Sequence, residues 1–288
     1  MRVLGFPESL AQSRALASEA GCGHDAVEVH RFPDGECRLR LPETLPERVV
    51  LCRSLDHPND KLVELLLAAE TARSLGVREL ILVAPYLCYM RQDTAFHPGE
   101  AVSQKIVGQF LAGLFDAVVT VDPHLHRVHR LVDAVPAAHA IALSAAGAMG
   151  AFLSTRTPRP LIVGPDEESA QWVARVADAA ATDFAVARKV RRSDRDVDVQ
   201  LPSGDYGDRE VVLVDDVAST GRTLVGAAQA LRSAGAARVD VLVTHALFVD
   251  DALDAMARAG VASIWSSDSV PHATNAFPLA GLLASALA

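Results

Sequence analysis

The sequence predicts an α/β protein with two similar domains, each a mostly parallel sheet with helices on both faces. Short apolar runs alternate with helical patterns along most of the 288 residues, and repeated strand and helix units give parallel sheets. The alternation starts again after the small-residue stretch "ALSAAGAMGAF". Since half of the residues are apolar, the chain is long enough to form two hydrophobic cores.

The first half begins with the strand-like segments "RVLGF", "AVEVHRF", "ECRLRLPE" and "RVVLCRSL". A helix is predicted in "NDKLVELLLAAETARSLG", where Asn59 or Asp60 is suited to cap the N-terminus and Gly76 to end the helix. The strand "ELILVAPYL", the helix "VSQKIVGQFLAGLF" and the strand "AVVTVDPH" follow. Continuous runs of Val, Leu and Ile indicate strands that are covered on both faces.

The second half repeats this pattern, which sets a domain boundary near Ser144. Its predicted strands are "RPLIVGPD", "DFAVARKV", "REVVLVDDV" and "ARVDVLVTHALF", and its predicted helices are "EESAQWVARVADAAA", "TLVGAAQALRSAG" and "DDALDAMARAG". The expected domains are therefore 1–144 and 145–288, with the last helix able to pack back on the first domain. Polar residues follow the strands, where parallel sheets bind their ligands.

Charge and cysteine content narrow the class of protein. A formal net charge of -9 disfavours nucleic acid and anionic membranes, which need a basic face. The four cysteines form no C-x-x-C pair, which fits a reducing compartment. The N-terminus has no charged segment followed by an apolar block, and the apolar runs are shorter than a membrane span. We expect a cytoplasmic protein that binds neither nucleic acid nor a membrane.

The most specific motif is "VVLVDDVASTGRTL", which begins at Val211. A turn that merely caps a helix needs one carboxylate or hydroxyl, not two acids and a Thr-Gly-x-Thr run. Gly221 permits close approach of a ligand, and the N–H groups and hydroxyls of this loop can surround a phosphate at a helix N-terminus. The two carboxylates suit neighbouring sugar hydroxyls. The predicted pentose 5-phosphate site contains Asp215, Asp216, Ser219, Thr220, Gly221, Arg222 and Thr223.

This motif resembles the phosphoribosyl-binding loop of type I phosphoribosyltransferases and of ribose-phosphate pyrophosphokinases, also called phosphoribosyl pyrophosphate synthetases. The synthetases alone add an Asp-Gly-Glu turn, a Tyr-x-Arg-Gln-Asp segment, an Asp-x-His strand end and a Lys-x-Arg loop. The chain has the counterparts in that order, from about Phe32 to about Phe248: "RFPDGECRLRLPE", "PYLCYMRQDTAFHPGEAVSQK", "VTVDPHL", "IVGPDEESA" and "VARKVRRSDRDVDVQLP". The resemblance implies two phosphoribosyltransferase-like domains, the first for ATP and the second for ribose 5-phosphate.

The "RFPDGE" segment is by composition a β-turn, since Pro-Asp-Gly is a turn signature. The resemblance adds a role in ATP binding, in which Phe32 would stack on adenine while Asp34 and Glu36 hold it. In the family this hairpin enters the ATP site of a neighbouring subunit. A homodimer or larger homo-oligomer is therefore implied.

The resemblance also assigns Arg91 to a phosphate of ATP and Gln92 to its base or ribose. A surface pair of Arg91 with Asp93 is the plainer interpretation, and such pairs contribute little.

The segment "DPHLHRVH" admits two interpretations. His124, His126 and His129 could form part of a zinc site, although no fourth ligand of matching spacing is evident. The resemblance instead assigns His124 to the Mg²⁺ and ATP phosphates and makes Asp166 the second metal-side residue. Magnesium suits a site with few protein ligands, because phosphate oxygens and water complete its coordination.

Lys189 and Arg191 alternate in "ARKVRRSDRD", so on an extended segment both side chains lie on one face. A solvated charged hairpin is the ordinary interpretation of such a run. The resemblance makes Lys189 and Arg191 the catalytic pair, whereas Arg192 and Arg195 are expected to be surface charges.

Two departures from many bacterial and animal members concern the phosphoribosyl loop, where Ser219 replaces an acid and Arg222 a small residue. Together with a short segment before the Asp-Asp strand, they make the chain similar to archaeal-type synthetases. Regulation by phosphate or ADP is therefore not implied.

The predicted reaction converts ATP and ribose 5-phosphate into AMP and phosphoribosyl pyrophosphate. A type I phosphoribosyltransferase is the first alternative, but it leaves the first half of the chain unused. A non-catalytic synthetase-associated subunit is the second, and it predicts damage at the Lys-x-Arg or Asp-Asp positions, which are intact.

Overall fold

The computed structural model describes residues 1–125, 127–156, 159–191 and 197–288 and confirms the α/β class. The strands are β1 (Arg2–Gly5), β2 (Gly23–Ala26), β3 (Glu28–Arg31), β4 (Cys37–Arg40), β5 (Arg48–Cys52), β6 (Glu79–Ala84), β7 (Ala117–Val121), β8 (His139–Leu143), β9 (Leu161–Gly164), β10 (Phe184–Val186), β11 (Arg188–Arg191), β12 (Val197–Gln200), β13 (Glu210–Ala218), β14 (Arg238–Ala246), β15 (Val261–Ser267) and β16 (Asn275–Phe277). The helices are α1 (Leu10–Glu19), α2 (Pro58–Ser74), α3 (Ser103–Leu114), α4 (Leu131–Ala134), α5 (Ala146–Ser154), α6 (Ala170–Ala180), α7 (Arg222–Ser233), α8 (Ala252–Arg258) and α9 (Ala280–Ala284).

Two six-stranded parallel sheets share the same topology. The first has the order β2-β1-β5-β6-β7-β8, and the second has the order β10-β9-β13-β14-β15-β16. In each sheet the edge strand is followed by an antiparallel hairpin, β3–β4 after β2 and β11–β12 after β10. The two hairpins, which carry the predicted adenine and catalytic residues, therefore occupy equivalent positions in the two sheets.

The chain divides into two compact units, described separately below. The N-terminal unit contains residues 1–143, 269–271 and 279–288, and the C-terminal unit contains residues 144–268 and 272–278. The C-terminal segment of the N-terminal unit is thus far along the chain from the rest of that unit. Among the described residues, no helix combines the length and the hydropathy that are needed to cross a bilayer.

Each sheet is buried because helices cover it, which explains the continuous apolar strands. In the N-terminal unit, Val49 and Leu51 of β5 are fully buried with Leu80 and Leu82 of β6. In the C-terminal unit, the core contains Val211 and Leu213 of β13, Val241 and Val243 of β14, and the buried side of α7. The polar ends of these strands remain at the carboxyl edges of the sheets.

The start of α2 differs from the prediction. Helix α2 begins at Pro58, after His57 in the left-handed region at φ 46°, and within the described residues no side chain caps this end. Asn59 lies inside the first turn and accepts a hydrogen bond from the Tyr89 hydroxyl at 2.5 Å. The expected caps Asn59 and Asp60 are therefore wrong, because proline at the first helical position already fixes the backbone there.

Candidate active site

The loop after β13 joins a parallel strand to the N-terminus of α7, as predicted. Strand β13 continues to Ala218 in register with Ala246 of β14, so both aspartates of the motif lie at its carboxyl end. Gly221 precedes the first residue of α7 with φ 66°, a conformation that favours glycine. This geometry directs the first N–H groups of the helix towards the loop, where an anion is favoured.

Packing against α8 is a second constraint on Gly221, and the sequence around this residue gave no sign of it. A Cβ atom at this position would lie 3.1 Å from Cε of Met256 and 3.6 Å from Cβ of Ala252, both on α8. The side of Gly221 that lacks a side chain thus faces α8. Glycine is therefore favoured here by the backbone conformation and by the packing against α8, and the close approach of a ligand to Gly221 stays a prediction.

Three carboxylates of the C-terminal unit approach one another at the sheet edge. Asp216 is buried and accepts a hydrogen bond from Val217 N at 2.8 Å, whereas Asp215 is half-buried and accepts one from Asp216 N at 3.0 Å. Burial raises the pKa of Asp215 well above its usual value, and repulsion from Asp216 and from Asp166 raises it further. The folded chain therefore disfavours the charged form of Asp215. Carboxylates with strongly shifted pKa values are typical of functional sites.

Asp166 begins the turn after β9. Its Oδ1 accepts hydrogen bonds from the backbone N–H groups of Glu168 at 3.2 Å and Ser169 at 3.3 Å. These bonds fix the carboxylate at the start of the short turn that leads to α6. Its Oδ2 lies near Lys189 of the β11–β12 hairpin, described next.

Lys189 of β11 joins this cluster to the phosphate loop. Its Nζ donates a hydrogen bond to Oγ1 of Thr223 at 3.2 Å and lies 3.8 Å from Oδ2 of Asp166. The lysine side chain is 39% exposed. Strand β11 extends to Arg191, which pairs with Val197 in the backbone ladder. The side chain of Arg191, and the predicted surface residues Arg192 and Arg195, lie outside what the structure describes.

In the N-terminal unit, the N-terminus of α3 holds the segment of Arg91 and Gln92. Ser103 Oγ donates to Oε1 of Gln92 at 3.1 Å, and Gln104 N donates to the Gln92 carbonyl at 3.2 Å. The fully buried Gln104 also donates through Nε2 to the carbonyl of Met90 at 3.0 Å. Arg91 itself is exposed. The sequence could not have identified Ser103 and Gln104 as supports of this segment, because serine and glutamine are common near helix N-termini.

Asp93 forms its ion pair with Arg127. The surface pair of Asp93 with Arg91, one interpretation of the sequence, is not the contact that the carboxylate makes. Its carboxylate is 3% exposed and accepts from Arg127 Nη1 at 2.6 Å and from Arg127 N at 3.1 Å. Burial acts to raise the pKa of Asp93, but the hydrogen bonds and charge of Arg127 outweigh it and lower the pKa. The pair links the segment after β6 to the loop after β7, which contains His124.

His124 is half-buried in that loop, whereas His129 is exposed and His126 lies outside the described residues. Among the residues that the structure describes, no group of three or more His, Cys, Asp or Glu side chains is arranged to hold a metal ion. The four cysteines are free thiols.

The "RFPDGE" segment forms the predicted β-turn at the end of the β3–β4 hairpin. Phe32 N donates to the Glu36 carbonyl at 2.8 Å, and Gly35 N donates to the Phe32 carbonyl at 3.0 Å. Glu36 N donates to Oδ1 of Asp34 at 3.1 Å, which stabilises the turn. Phe32 is 41% exposed, so the tip presents one aromatic ring and two carboxylates to solvent.

The predicted site residues thus fall into two groups. Asp166, Lys189, Asp215 and Thr223 come together in the C-terminal unit. Phe32, Asp34, Glu36, Arg91, Gln92 and His124 belong to the N-terminal unit, on the hairpin and on the loops after β6 and β7.

Two parallel sheets of one topology, with a phosphate-type loop at the end of a central strand, define the phosphoribosyltransferase class of fold. Residues 1–114 match the model for the N-terminal domain of ribose phosphate pyrophosphokinase, and residues 132–269 match the model for a phosphoribosyl transferase domain. The chain belongs to the ribose-phosphate pyrophosphokinase family.

Relatives that match nearly the whole chain, over nearly their own full length, support this assignment. The ribose-phosphate pyrophosphokinase of Methanopyrus kandleri is 36% identical over 275 residues, covering 94% of this chain and 93% of that protein. The Halobacterium salinarum enzyme of the same name is 35% identical and covers 99% of this chain and 100% of its own. The phosphoribosylpyrophosphate synthetase of Mycobacterium smegmatis, at 21% identity, shares the fold with a TM-score of 0.85 over 99% of this chain and 97% of its own. The resemblance to archaeal synthetases is confirmed.

Proposed function

We propose that this enzyme is a ribose-phosphate diphosphokinase, which transfers the β,γ-diphosphoryl group of ATP to the 1-hydroxyl of ribose 5-phosphate and releases AMP. One observation carries the proposal: Lys189 meets Thr223 of the phosphate loop and Asp166 at the carboxyl edge of the second sheet. Transfer of a phosphoryl group to a sugar phosphate requires a cation, a phosphate-binding loop and carboxylates close to one another.

The C-terminal unit would bind ribose 5-phosphate. The start of α7 supplies N–H groups and a positive dipole for the 5-phosphate, together with the hydroxyls of Ser219, Thr220 and Thr223. Arg222, exposed at the first position of α7, adds a positive charge. Asp215 and Asp216 would accept hydrogen bonds from the ribose hydroxyls, directly or through a bound Mg²⁺. Removing these carboxylates should weaken the sugar side and leave the phosphate cradle in place.

The N-terminal unit would bind ATP. Arg91, on the segment held by α3, suits a bidentate contact with a phosphate, and Gln92 suits the base or ribose. Phe32 offers an exposed ring for stacking on adenine, and Asp34 and Glu36 offer acceptors for its amino group. We further propose that this hairpin serves the ATP site of a second copy of the chain, so that the enzyme works as a homodimer or larger homo-oligomer.

Mg²⁺ fits the carboxylates of the C-terminal unit. His124 and Asp166 are the proposed metal-side residues, and a bound cation would relieve the repulsion from Asp216 and Asp166 that contributes to the raised pKa of Asp215. Mg²⁺ commonly binds one or two carboxylates together with substrate phosphates and water. When bound it would neutralise charge on the phosphate oxygens.

In the transfer step, the anomeric hydroxyl oxygen attacks the β-phosphorus, the bond from that phosphorus to the α-phosphate oxygen breaks, and AMP leaves. The hydroxyl proton passes to solvent, and no side chain is assigned as general base. Lys189 and Arg191 would neutralise charge on the diphosphoryl group during transfer. Most of the rate would come from positioning and charge stabilisation.

A type I phosphoribosyltransferase is disfavoured because residues 1–114 match a domain of the pyrophosphokinases. A non-catalytic subunit is disfavoured because Lys189 and the Asp-Asp pair are present and assembled. A cytoplasmic location, expected from the cysteine pattern, is part of the same proposal.

The test is an assay of purified protein with ATP, Mg²⁺ and ribose 5-phosphate, in which AMP and phosphoribosyl pyrophosphate are measured. We expect equal amounts of both products and no AMP when ribose 5-phosphate is left out. Consumption of phosphoribosyl pyrophosphate with a nucleobase, in place of its formation, would contradict the proposal.

A further inference from the structure

A buried cluster of charges lies beneath the hairpin in the N-terminal unit. Arg53, which follows β5, is fully buried, and its guanidinium lies 4.0 Å from the centre of the Phe6 ring. Arg53 Nε donates to Glu8 at 2.7 Å, and Arg53 Nη2 donates to Glu64 of α2. A buried guanidinium needs such partners, because a charge without them is strongly destabilising.

Glu64 connects this cluster to the hairpin. Its side chain is 2% exposed, and its Oε1 accepts hydrogen bonds from Arg31 Nε at 3.1 Å and Arg31 Nη2 at 2.9 Å. Arg31 is the last residue of β3, directly before Phe32. The same carboxylate therefore holds the buried Arg53 and the root of the hairpin.

The charge balance explains why Arg31 is needed. Two carboxylates, Glu8 and Glu64, contact the single guanidinium of Arg53, but the Glu8 side chain is 36% exposed to water whereas that of Glu64 is 2% exposed, so Glu64 is the one that gains from a second positive charge. Arg31, whose side chain is 58% exposed, supplies this charge through two N–H groups that both donate to Oε1 of Glu64, an arrangement more directional than a single contact. The hairpin is thus tied to α2 through the buried carboxylate of Glu64.

Beyond this contact the hairpin tip stands away from α2. A cavity of about 370 Å³ separates Gly35, Glu36 and Cys37 of the hairpin from Asp60, Val63 and Leu67 of α2. The other ion pairs of the hairpin are weak, since Arg40 lies 3.8 Å from Glu28 and 3.9 Å from Glu43 with all three side chains exposed. Of the described ion pairs, Arg31 with Glu64 is the one that joins the hairpin near its tip to the body of the unit.

We propose that Arg31 and Glu64 are positioning residues that fix the direction of the hairpin and so set the affinity for ATP. This inference rests on the proposed function, in which Phe32, Asp34 and Glu36 bind the adenine of ATP. Neither Arg31 nor Glu64 needs to touch the substrate, since Arg31 acts through the turn that follows it.

The decisive variants change Arg31, because Glu64→Gln leaves Arg53 under-compensated and is expected to unfold part of the unit. Arg31→Met keeps the apolar stem and removes the charge, Arg31→Lys keeps the charge and loses the two-donor contact, and Arg40→Met is the control on the same hairpin. We expect Arg31→Met to raise KM for ATP about tenfold. The values of kcat and of KM for ribose 5-phosphate should change less than about twofold, and Arg31→Lys should recover part of the loss.

Hydrogen exchange of the Gly35 and Phe32 amides separates this inference from the proposed function. Faster exchange in Arg31→Met than in Arg40→Met, together with the selective rise in KM for ATP, supports the inference. An unchanged KM for ATP, an equal rise in Arg40→Met, or an equal rise in KM for ribose 5-phosphate overturns it while the enzyme remains a diphosphokinase. If the unsubstituted protein forms no AMP with ribose 5-phosphate, the proposed function fails, and unchanged exchange in Arg31→Met would then overturn the positioning role as well.

Discussion

The Nζ atom of Lys189 lies 3.2 Å from Oγ1 of Thr223. One residue belongs to a hairpin strand and the other to the first turn of α7, and their contact places a positive charge beside the loop that precedes α7. A 5-phosphate bound in that loop would be a far stronger partner for the ammonium group than a neutral hydroxyl. Substrate binding and the placement of Lys189 are therefore expected to be coupled.

Replacing Lys189 by alanine should lower kcat by at least about 100-fold, because the charge that develops on the transferred group loses its counter-charge. The affinity for ATP, measured by calorimetry, should change little. Arg188→Ala is the matched control, since Arg188 precedes Lys189 on the same strand and forms an exposed pair with Glu167 at 3.4 Å. An equal loss of ATP binding in Lys189→Ala would contradict the assigned role.

Replacing Thr223 by valine keeps the shape of the side chain and removes one hydroxyl from the cradle. We expect KM for ribose 5-phosphate to rise about tenfold, the effect of one lost bond to a charged group, with KM for ATP unchanged. Thr155→Val is the control, because the Thr155 hydroxyl bonds the carbonyl of Phe152 at the end of α5. If KM for ATP rose instead, the loop would bind a phosphate of the nucleotide. ATP would then be assigned to the C-terminal unit and ribose 5-phosphate to the N-terminal unit.

Replacing Gly221 tests a different property of the same loop. Gly221→Ala forces a side chain into a left-handed conformation and against Met256, so we expect a loss of about 1–2 kcal/mol in the free energy of unfolding. Urea denaturation measures this loss. Gly113→Ala is the comparison, since a Cβ there meets no atom within 4 Å, and it should not be destabilised.

Replacing Asp215 by asparagine should stabilise the protein while impairing its activity. The substitution removes a charge that is disfavoured by burial and by two neighbouring carboxylates, and asparagine can still accept from Asp216 N. A gain of about 1 kcal/mol corresponds to roughly 2–4 °C in Tm for a chain of this size. Asp178→Asn on the exposed face of α6 should leave Tm unchanged, and a lower Tm for Asp215→Asn would show that the carboxylate stabilises the fold.

The Asp93 and Arg127 pair predicts a pH dependence with a definite sign. Because the folded chain lowers the pKa of Asp93 below 3.8, the folded state favours the carboxylate. The stabilisation should be complete at pH values above 3.8 and lost as the pH falls through the lowered pKa.

At neutral pH we expect Asp93→Asn to cost about 1 kcal/mol, a modest value because Arg127 is largely exposed and water screens its charge. Urea denaturation of both proteins at neutral pH and at several acidic pH values measures the difference. A difference that does not shrink in acid would show that the charge of Asp93 is not its source.

The sequence was sufficient to predict those elements whose structure depends on neighbouring residues alone. Parallel strands, the loop at Gly221 and the turn at Asp34 each have a composition that few alternatives satisfy. Helix α1 was missed because its buried face uses polar residues: Ser13 bonds His24, and Gln12 Nε2 donates to the Ser269 carbonyl. Such a face has no apolar period to detect.

Contacts between distant residues could not be predicted from spacing. Lys189 and Thr223 are 34 positions apart, as are Asp93 and Arg127, and in each case the fold brings two distant segments of the chain together. The strand β15 was likewise missed because it ends in Ser266 and Ser267, which are fully buried but polar. Their suitability for the interior comes from hydrogen bonds that are visible in the folded chain, such as that from Ser267 Oγ to the Thr244 carbonyl at 2.6 Å.

The N-terminal unit is completed by residues 279–288, where Leu283 and Leu287 are buried and α9 packs on α1. The Ser269 carbonyl likewise accepts hydrogen bonds from Gln12 and from Ser54, two residues made long before Ser269. During translation the ribosome therefore has to produce the whole C-terminal unit before the N-terminal unit receives its final helix. Of the two units, the one that the ribosome begins first is therefore the one that it completes last.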